Sequence, residues 1–113
     1  MAQVINLYMD QGASFGNTIQ VVSLFGGGIL DLSDHTAKAQ MRKSYGSKTA
    51  FTFTTVITSP TLGKINISMT PEETQAIKPG RYLYDIEVTS ATTGVKIRVI
   101  EGVIVVSPEI TQI

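Results

Sequence analysis

The chain of 113 residues contains no cysteine, which excludes a disulfide framework, a thiolate zinc site, an iron–sulfur cluster and a cysteine nucleophile. It also has no tryptophan, and only 16% of its residues are charged. Nine Lys and Arg balance nine Asp and Glu, so the composition lacks the basic excess that neutralises nucleic-acid phosphates. We therefore predict a chain that is stabilised by packing alone and has no nucleic-acid partner.

Long apolar runs are also missing. The longest, residues 99–106, is interrupted by Glu101 and Gly102 and is far shorter than the roughly 20 residues of a membrane-spanning helix. The first residues carry neither a positive leader nor a signal-like apolar stretch. A chain of this size buries enough surface for one core. These features predict a single soluble domain over residues 1–113, with short N-terminal and C-terminal arms and no membrane contact.

The residues that are abundant favour β-structure. With 13 Ile, 10 Val and 14 Thr, the chain is rich in β-branched side chains, which pack well on a pleated sheet. Apolar and polar residues alternate repeatedly, as at Ile65, Ile67 and Met69. The alternation predicts seven strands, near residues 3–9, 17–25, 36–44, 50–58, 63–69, 81–90 and 95–106.

Turn signals and one helical signature refine this prediction. Turn residues recur at spacings of about 8 to 12 residues, which is typical of a sandwich or barrel. Thr70, Pro71 and Glu73 form a capping-box pattern, which predicts one short helical turn near residues 71–77. The Pro79-Gly80 bend before Tyr82 is similar to the tyrosine corner of immunoglobulin-like domains. The predicted fold is all-β, an immunoglobulin-like β-sandwich of about seven strands.

The last two strands are predicted to form a hairpin around a loop at residues 91–94. Opposite charges then meet on the solvent face and apolar residues on the buried face. A bulge is expected at Glu101-Gly102, because glycine accepts the backbone geometry of a bulge. The predicted pairs are Ile86–Val99 and Val88–Ile97 on the buried face, Glu87–Arg98 on the solvent face, and Tyr84–Glu101.

Few residues are candidates for catalysis. His35 is the single histidine, and a neighbouring Asp31 or Asp34 could orient it as a general base. A histidine within Leu-Ser-Asp-His-Thr is more simply a turn and strand-entry residue, since the catalytic arrangement needs a third convergent group. Residues 46–49 resemble the end of a phosphate-binding loop, but Arg42 stands where that motif requires glycine. We predict no catalytic residue and no enzymatic activity.

Cofactor and metal sites are not predicted either. Gly26-Gly27-Gly28 lacks the spaced glycines and following helix of a dinucleotide site, so it is interpreted as a connector. Asp10, Asp31 and Asp34 are too dispersed for a calcium loop, whose ligands recur at alternate positions.

One basic stretch, residues 41–48, is a candidate docking surface for an acidic neighbour. The alternative is a solvated strand edge that lysines protect against unwanted pairing. The apolar residues at both chain ends, Met1–Val4 and Ile104–Ile113, suggest contact with a partner through extended arms. The candidate docking residues are Lys38, Arg42, Lys43, Tyr45, Lys48, Ile110 and Ile113.

Seven blocks of sequence carry a resemblance to a known family: residues 7–15 (LYMDQGASF), 30–33 (LDLS), 36–45 (TAKAQMRKSY), 63–65 (GKI), 79–85 (PGRYLYD), 98–102 (RVIEG) and 106–111 (VSPEIT). In order and spacing they resemble small virion structural proteins of tailed bacteriophages, best known from phages of cyanobacteria. They are also similar, more loosely, to the N-terminal β-sandwich of phage baseplate upper proteins. Family members commonly have an Asp-Gly type connector before Leu-Asp-Leu-Thr. This chain has Gly26-Gly27-Gly28-Ile29 and Ser33 instead, so loop contacts are not carried over.

The resemblance implies a component of the virion and supplies no catalytic residues. We expect a non-enzymatic assembly module that binds other virion proteins and copies of itself, most simply by decorating or cementing the capsid. A tail or baseplate attachment component is the first alternative. The second is a glycan-binding or adhesive module on the particle surface, which would need exposed aromatic rings. The alternation leaves Tyr8, Phe25 and Tyr45 exposed and buries Phe51, Phe53, Tyr82 and Tyr84.

Overall fold

The computed structural model describes residues 3–22, 28 and 30–110 of the chain. Those residues are organised mainly as β-strands, with one short α-helix and one 3-10 turn at Pro60–Leu62. The elements are β1 (Gln3–Val4), β2 (Leu7–Asp10), β3 (Phe15–Gln20), β4 (His35–Arg42), β5 (Ala50–Thr52), β6 (Thr54–Ser59), β7 (Lys64–Met69), α1 (Pro71–Gln75), β8 (Gly80–Ser90) and β9 (Lys96–Ser107). The predicted all-β class is confirmed.

The strands form two sheets. The first sheet has the order β1-β9-β8-β4-β5, with β2 also paired to β9, and the second has the order β3-β7-β6. From β3 to β9, the strands therefore take the places of strands B, C, C′, D, E, F and G of a variable-type immunoglobulin domain. Both β1 and β2 run parallel to β9, so the N-terminal and C-terminal strands are neighbours. The predicted immunoglobulin-like sandwich is confirmed.

The predicted strand at residues 50–58 is two strands in the structure. Residues Ala50–Thr52 pair with β4 in the first sheet, whereas Thr54–Ser59 pair with β7 in the second. The change of sheet occurs at Phe53, which is buried and whose N–H donates to the carbonyl of Ala39 at 3.0 Å. Alternation did not reveal this switch, because the inward positions keep their period of two through the corner.

Two other predicted strands have different limits. The first, residues 3–9, is interrupted at Ile5 and Asn6, which separate β1 from β2. The second was predicted at residues 17–25, but β3 begins at Phe15 and ends at Gln20. Residues 23–25 lie outside the described part of the chain.

The core lies between the two sheets and is built by the predicted inward positions. Ile65 and Ile67 of β7 are fully buried, as are Met41 of β4 and Met9 of β2. The rings of Phe15 and Phe53 pack with centroids 5.8 Å apart. The buried residues of β2, β3, β4, β7, β8 and β9 form one cluster, and the partly buried Ile57 of β6 packs against it.

The predicted capping box is present at the start of α1. The Thr70 hydroxyl accepts a hydrogen bond from the Glu73 N–H at 3.2 Å, and the Glu73 carboxylate accepts one from the Thr70 N–H at 2.8 Å. The α-helix ends at Gln75, two residues before the predicted limit, and Ile77 is buried in the core. The box thus fixes the entry to the segment that leads into β8.

The predicted tyrosine corner is also present. The Tyr82 hydroxyl donates to the carbonyl oxygen of Lys78 at 2.6 Å. Between them, Gly80 has a φ of +144°, a conformation that L side chains rarely adopt, and Pro79 precedes it on the exposed surface. In antibody domains the second cysteine of the inter-sheet disulfide follows the corner tyrosine by two residues. Here that position holds Tyr84.

Tyr84 fastens residues 3–10, which we call the arm. Its hydroxyl donates to the carbonyl oxygen of Ile5 at 2.6 Å, between β1 and β2. Burial raises the pKa of Tyr84 to about 12, so the hydroxyl keeps its proton at neutral pH. Opposite Tyr84 stands Gly102, where an added Cβ would overlap the Ile5 carbonyl oxygen. The Asn6 side chain accepts from the Val103 N–H at 3.1 Å, which completes the junction.

The hairpin of β8 and β9 has the predicted register near its loop. Glu87 lies opposite Arg98, and Val88 lies opposite Ile97, as expected. Ile97 is nevertheless 38% exposed, so its predicted burial is wrong. It is the second residue of β9, close to the hairpin loop, and its neighbours Lys96 and Arg98 are exposed as well.

The predicted bulge is displaced. Ile86 pairs with Ile100 rather than with Val99, and the register shifts between Ile86 and Glu87. The extra residue is therefore Val99, and Tyr84 faces Gly102 rather than Glu101. Val99 and Ile100 are both buried, which successive residues of a regular strand cannot achieve on one face. Gly102 is required by the approach of the arm and not by a bulge.

The tyrosine corner gives a first testable prediction. Tyr82→Phe removes the hydrogen bond to Lys78 while keeping the ring, so we expect the free energy of unfolding to fall by about 1 to 2 kcal/mol. Tyr45→Phe is the matched control, because Tyr45 is 81% exposed. Urea denaturation of both variants measures the difference, and equal stabilities would contradict the structural role of the Tyr82 hydroxyl.

Candidate functional site

The solvent face of the first sheet carries an open groove of about 460 Å³, which we call the outer-sheet groove. Strands β1, β4, β8 and β9 contribute to it, together with the turn that follows β4. Its apolar lining includes Leu83 and Val103, which are half-buried. Its polar lining includes Arg42, Tyr45, Asp85, Glu87, Arg98 and Glu101.

Arg98 joins two carboxylates inside this groove. Its Nε lies 3.1 Å from Asp85 Oδ2, and its Nη1 lies 3.3 Å from Glu101 Oε2. Glu87, its direct cross-strand neighbour, makes no ion pair with any residue of the described chain. Glu87 and Arg98 thus lie opposite each other as predicted, but the Arg98 guanidinium forms its ion pairs with Asp85 and Glu101.

The groove has a surplus of negative charge. Burial is the main cause that raises the pKa of Asp85, and the nearby Glu87 carboxylate raises it further. Arg98 opposes this effect, Glu101 adds to it, and Arg42 opposes it more weakly. Three carboxylates therefore share two guanidinium groups in a partly desolvated space.

The basic stretch does not form a sheet edge. Lys38 and Arg42 lie on β4, which is an inner strand between β8 and β5. The prediction of a lysine-protected or docking strand edge is therefore wrong for these two residues, because composition and alternation contain no information on strand order. Lys38 is exposed opposite Glu87, and Arg42 Nη1 donates to the carbonyl of Ser47 at 2.8 Å.

The remaining docking candidates are dispersed. Lys43 places its ammonium 4.9 Å above the Tyr82 ring, away from a common basic patch. Lys48 is exposed, and Ile110 beyond β9 is 96% exposed. Ile113 lies outside the described residues. Of the predicted set, only Arg42 and Tyr45 meet at the outer-sheet groove.

The described apolar residues of the chain ends are divided between the core and the surface. Ile104 and Val106 of β9 are buried in the core, so the expectation that these residues serve a partner is wrong for both. Val4 and Tyr8 of the arm stay exposed, at 66% and 76%, and Tyr8 lies beside Val105 on the same face. The predicted exposure of Tyr8 and Tyr45 is confirmed, whereas Phe25 lies outside the described residues.

His35 is the first residue of β4, directly after the turn at Ser33 and Asp34. Its Nδ1 faces the carbonyl oxygen of Ser33 at 2.9 Å, where a catalytic triad would place a carboxylate. Asp31 accepts a hydrogen bond from the Ser33 N–H at 2.8 Å, and Asp34 has a φ of +64° in the same turn. Within residues 3–22, 28 and 30–110, no group of three His, Asp or Glu residues is arranged to hold a metal ion.

Asp85 and Glu101 both line the groove, but neither was predicted as a site residue from the sequence. The sequence indicated only that both residues occupy outward positions in the alternation of β8 and β9. Their meeting depends on the bulge at Val99, which brings Glu101 beside Asp85 in the register. A prediction of the groove therefore requires the correct pairing of the two strands.

Comparison with known proteins supports the fold and no assigned activity. No family model matches the chain, and no curated protein matches it. The structure is similar to Listeria monocytogenes InlP, with a TM-score of 0.50 and 14% identity over 94% of this chain. The chain spans 28% of the InlP chain. The natural killer cell receptor NKp44 gives a TM-score of 0.47 and 14% identity, with 95% of this chain and 99% of that chain covered.

At 14% identity, the similarity to InlP indicates a shared fold and nothing further. Among the described residues, the structure holds no helix with the length and apolar character needed to span a bilayer.

The charge surplus gives a second prediction. Because the folded-state pKa of Asp85 is raised, the folded chain holds its proton more tightly than the unfolded chain does. Ionisation of Asp85 therefore lowers stability as the pH rises from about 4 towards neutrality. We expect Asp85→Asn to be more stable relative to wild type at pH 7 than at pH 4.

Chemical denaturation at both pH values measures this change. Asp10→Asn is the control, since Asp10 is exposed at the end of β2 and outside the groove. The prediction would be contradicted if the stability of Asp85→Asn relative to wild type decreased from pH 4 to pH 7. The ion pair of Asp85 with Arg98 would then outweigh burial and repulsion.

Proposed function

We propose that this protein is a non-enzymatic structural component of a tailed-phage virion, an assembly module that decorates or cements the capsid. The observation that carries the proposal is the set of seven ordered blocks that resemble small phage virion proteins. Its partners are then other virion proteins and copies of itself, and its location is the virion after synthesis in the host cytoplasm. Attachment to the tail or baseplate is the alternative position.

The places of these blocks in the fold support the proposal. The block 7–15 contains β2, block 79–85 contains the tyrosine corner and Tyr84, and block 98–102 contains Arg98 and Gly102. Residues that hold the arm and shape the solvent face of the first sheet therefore belong to the resembling segments.

The exposed surface is also suited to assembly. Val4, Tyr8 and Val105 present apolar surface along the arm and β9. Contiguous exposed apolar residues are typical of protein interaction sites. With no net charge, copies of the chain can approach one another without strong repulsion, and a symmetric particle multiplies weak contacts into avidity.

A glycan-binding or adhesive role on the particle surface is a second candidate function. The observation that favours it is Tyr45, whose side chain is 81% exposed at the outer-sheet groove.

The assembly proposal predicts that purified particles contain this protein. Quantitative mass spectrometry gives its copy number, and an electron cryomicroscopy map gives its position. Hundreds of copies follow from capsid symmetry, whereas about six to a few dozen follow from tail symmetry. Absence of the protein from purified particles would contradict the proposal.

A pair of variants tests which surface binds the particle. We expect Val4→Asp to reduce incorporation at least tenfold, because it places a charge on the exposed apolar surface of the arm. Val56→Asp is the matched control, since Val56 is 52% exposed on the second sheet. Equal incorporation of both variants, with folding verified by circular dichroism, would exclude the arm surface.

A further inference from the structure

The exposed aromatic ring at the groove is not explained by packing. Tyr45 lies in the turn after β4, and its side chain is more exposed than any other tyrosine of the described chain. A ring that is rigid and amphipathic offers a flat apolar surface at little cost in conformational entropy. Tyr45 thus supplies a stacking surface at the margin of a concave site.

The groove places hydrogen-bond acceptors and donors in the same space. Glu87 is half-buried and makes no ion pair among the described residues, so its carboxylate retains acceptor capacity. Asp85 uses one oxygen towards Arg98. Arg42 uses Nη1 towards the Ser47 carbonyl, which leaves other guanidinium N–H groups as donors. Ionised carboxylates only accept, so they suit ligand hydroxyl groups that donate.

Groups of both signs line the groove, so a charged ligand of either sign would lie beside like-charged groups. An anionic ligand would meet Asp85, Glu87 and Glu101, which already disfavour further negative charge. A basic peptide would be attracted by the surplus carboxylate but would also meet the guanidinium groups of Arg42 and Arg98, and its titration below is the test of that alternative. A neutral ligand that carries both donors and acceptors can bond to groups of either sign without this repulsion.

Size and lining agree with a small polar ligand that has one apolar face. The volume of about 460 Å³ is within the range of about 300 to 1,000 Å³ that is typical of ligand sites. Leu83 and Val103 provide apolar surface beside the charged groups. The arm contributes Val4 and Asn6, so the site is complete only when the arm is docked.

We propose that the outer-sheet groove binds a neutral hexose unit of a glycan, with the ring of Tyr45 stacked on the sugar and the carboxylates of Asp85 and Glu87 accepting hydrogen bonds from its hydroxyl groups. A hexose has the required chemistry, because its C–H face is apolar and its rim carries hydroxyl groups that both donate and accept. This inference rests on the second candidate function, and its test measures glycan binding by the isolated chain, without any particle.

The test is a glycan array probed with the full chain, followed by calorimetric titration with the neutral oligosaccharide that binds best. The array includes neutral hexose glycans, sialylated and uronic-acid glycans, and a lysine-rich peptide is titrated separately. We expect binding to neutral hexose glycans only. Binding of anionic glycans or of the peptide alone, or of no glycan, would overturn the proposal.

Variants connect the binding to the groove. We expect Tyr45→Ala to weaken affinity at least tenfold, while Tyr8→Ala leaves it unchanged. Tyr8 is the matched control because it is 76% exposed on the same face but does not line the groove. Glu87→Gln is expected to weaken affinity about three- to tenfold, and Glu72→Gln on α1 is its control. Equal affinities of Tyr45→Ala and Tyr8→Ala would contradict the assigned site.

Thermal denaturation of each variant confirms that a loss of binding is not a loss of folding. Particle composition is measured in the same series. Incorporation of Tyr45→Ala at the wild-type level, together with lost glycan binding, supports the groove as the sugar site and shows that attachment to the particle does not need Tyr45. If particles contain the protein but the protein binds no glycan, the groove proposal is refuted and the assembly proposal is not.

Discussion

The junction between the arm and β9 is the constraint on which the solvent face of the first sheet depends. The Tyr84 hydroxyl holds the carbonyl of Ile5, and the missing side chain of Gly102 allows that carbonyl to approach. The junction holds the arm along the edge of β9, where β1 and β2 pair with it, and Leu7 and Met9 of the arm lie in the core. It also brings Val4 and Asn6 to the outer-sheet groove. The packing of the core, the pairing along β9 and the lining of the groove therefore all depend on this junction.

This immunoglobulin-like sandwich is held together without the inter-sheet disulfide of antibody domains. Tyr84 occupies the position of the second disulfide cysteine and directs its hydroxyl to the N-terminal arm instead of to the opposite sheet. Tyr82 makes a similar bond to the Lys78 carbonyl. Each such bond contributes about 1 kcal/mol, whereas a disulfide contributes about 2 to 4 kcal/mol. Tight packing of fully buried residues such as Ile65, Ile67 and Ile86 accordingly supplies most of the stability.

Features that depend on neighbouring residues in sequence could be predicted, and features that depend on strand order could not. The inward positions of β4 and β7, the Thr70 capping box and the Tyr82 corner follow from local patterns, and all are confirmed. The change of sheet at Phe53 leaves the alternation intact and was missed. The bulge at Val99 was placed at Gly102, because the approach of the arm to that glycine is a long-range contact.

The candidate site shows the same division. Arg42 and Tyr45 were recognised from their local sequence, but the expected strand edge was wrong because β4 is an inner strand. Asp85 and Glu101 come from different strands and meet only through the pairing of β8 with β9. The proposed roles in assembly and in sugar binding both use the solvent face that the docked arm completes.

Native-state hydrogen exchange of Gly102→Ala tests this account most directly, with Gly16→Ala as the control because an added Cβ at Gly16 meets no atom within 4 Å. The account predicts that Gly102→Ala lowers the protection of the Ile5, Leu7 and Met9 amides at least tenfold, while Ile65 and Ile67 in the second sheet keep theirs. It predicts no such loss in Gly16→Ala. Unchanged protection of the arm in Gly102→Ala would contradict the claim that the junction holds it.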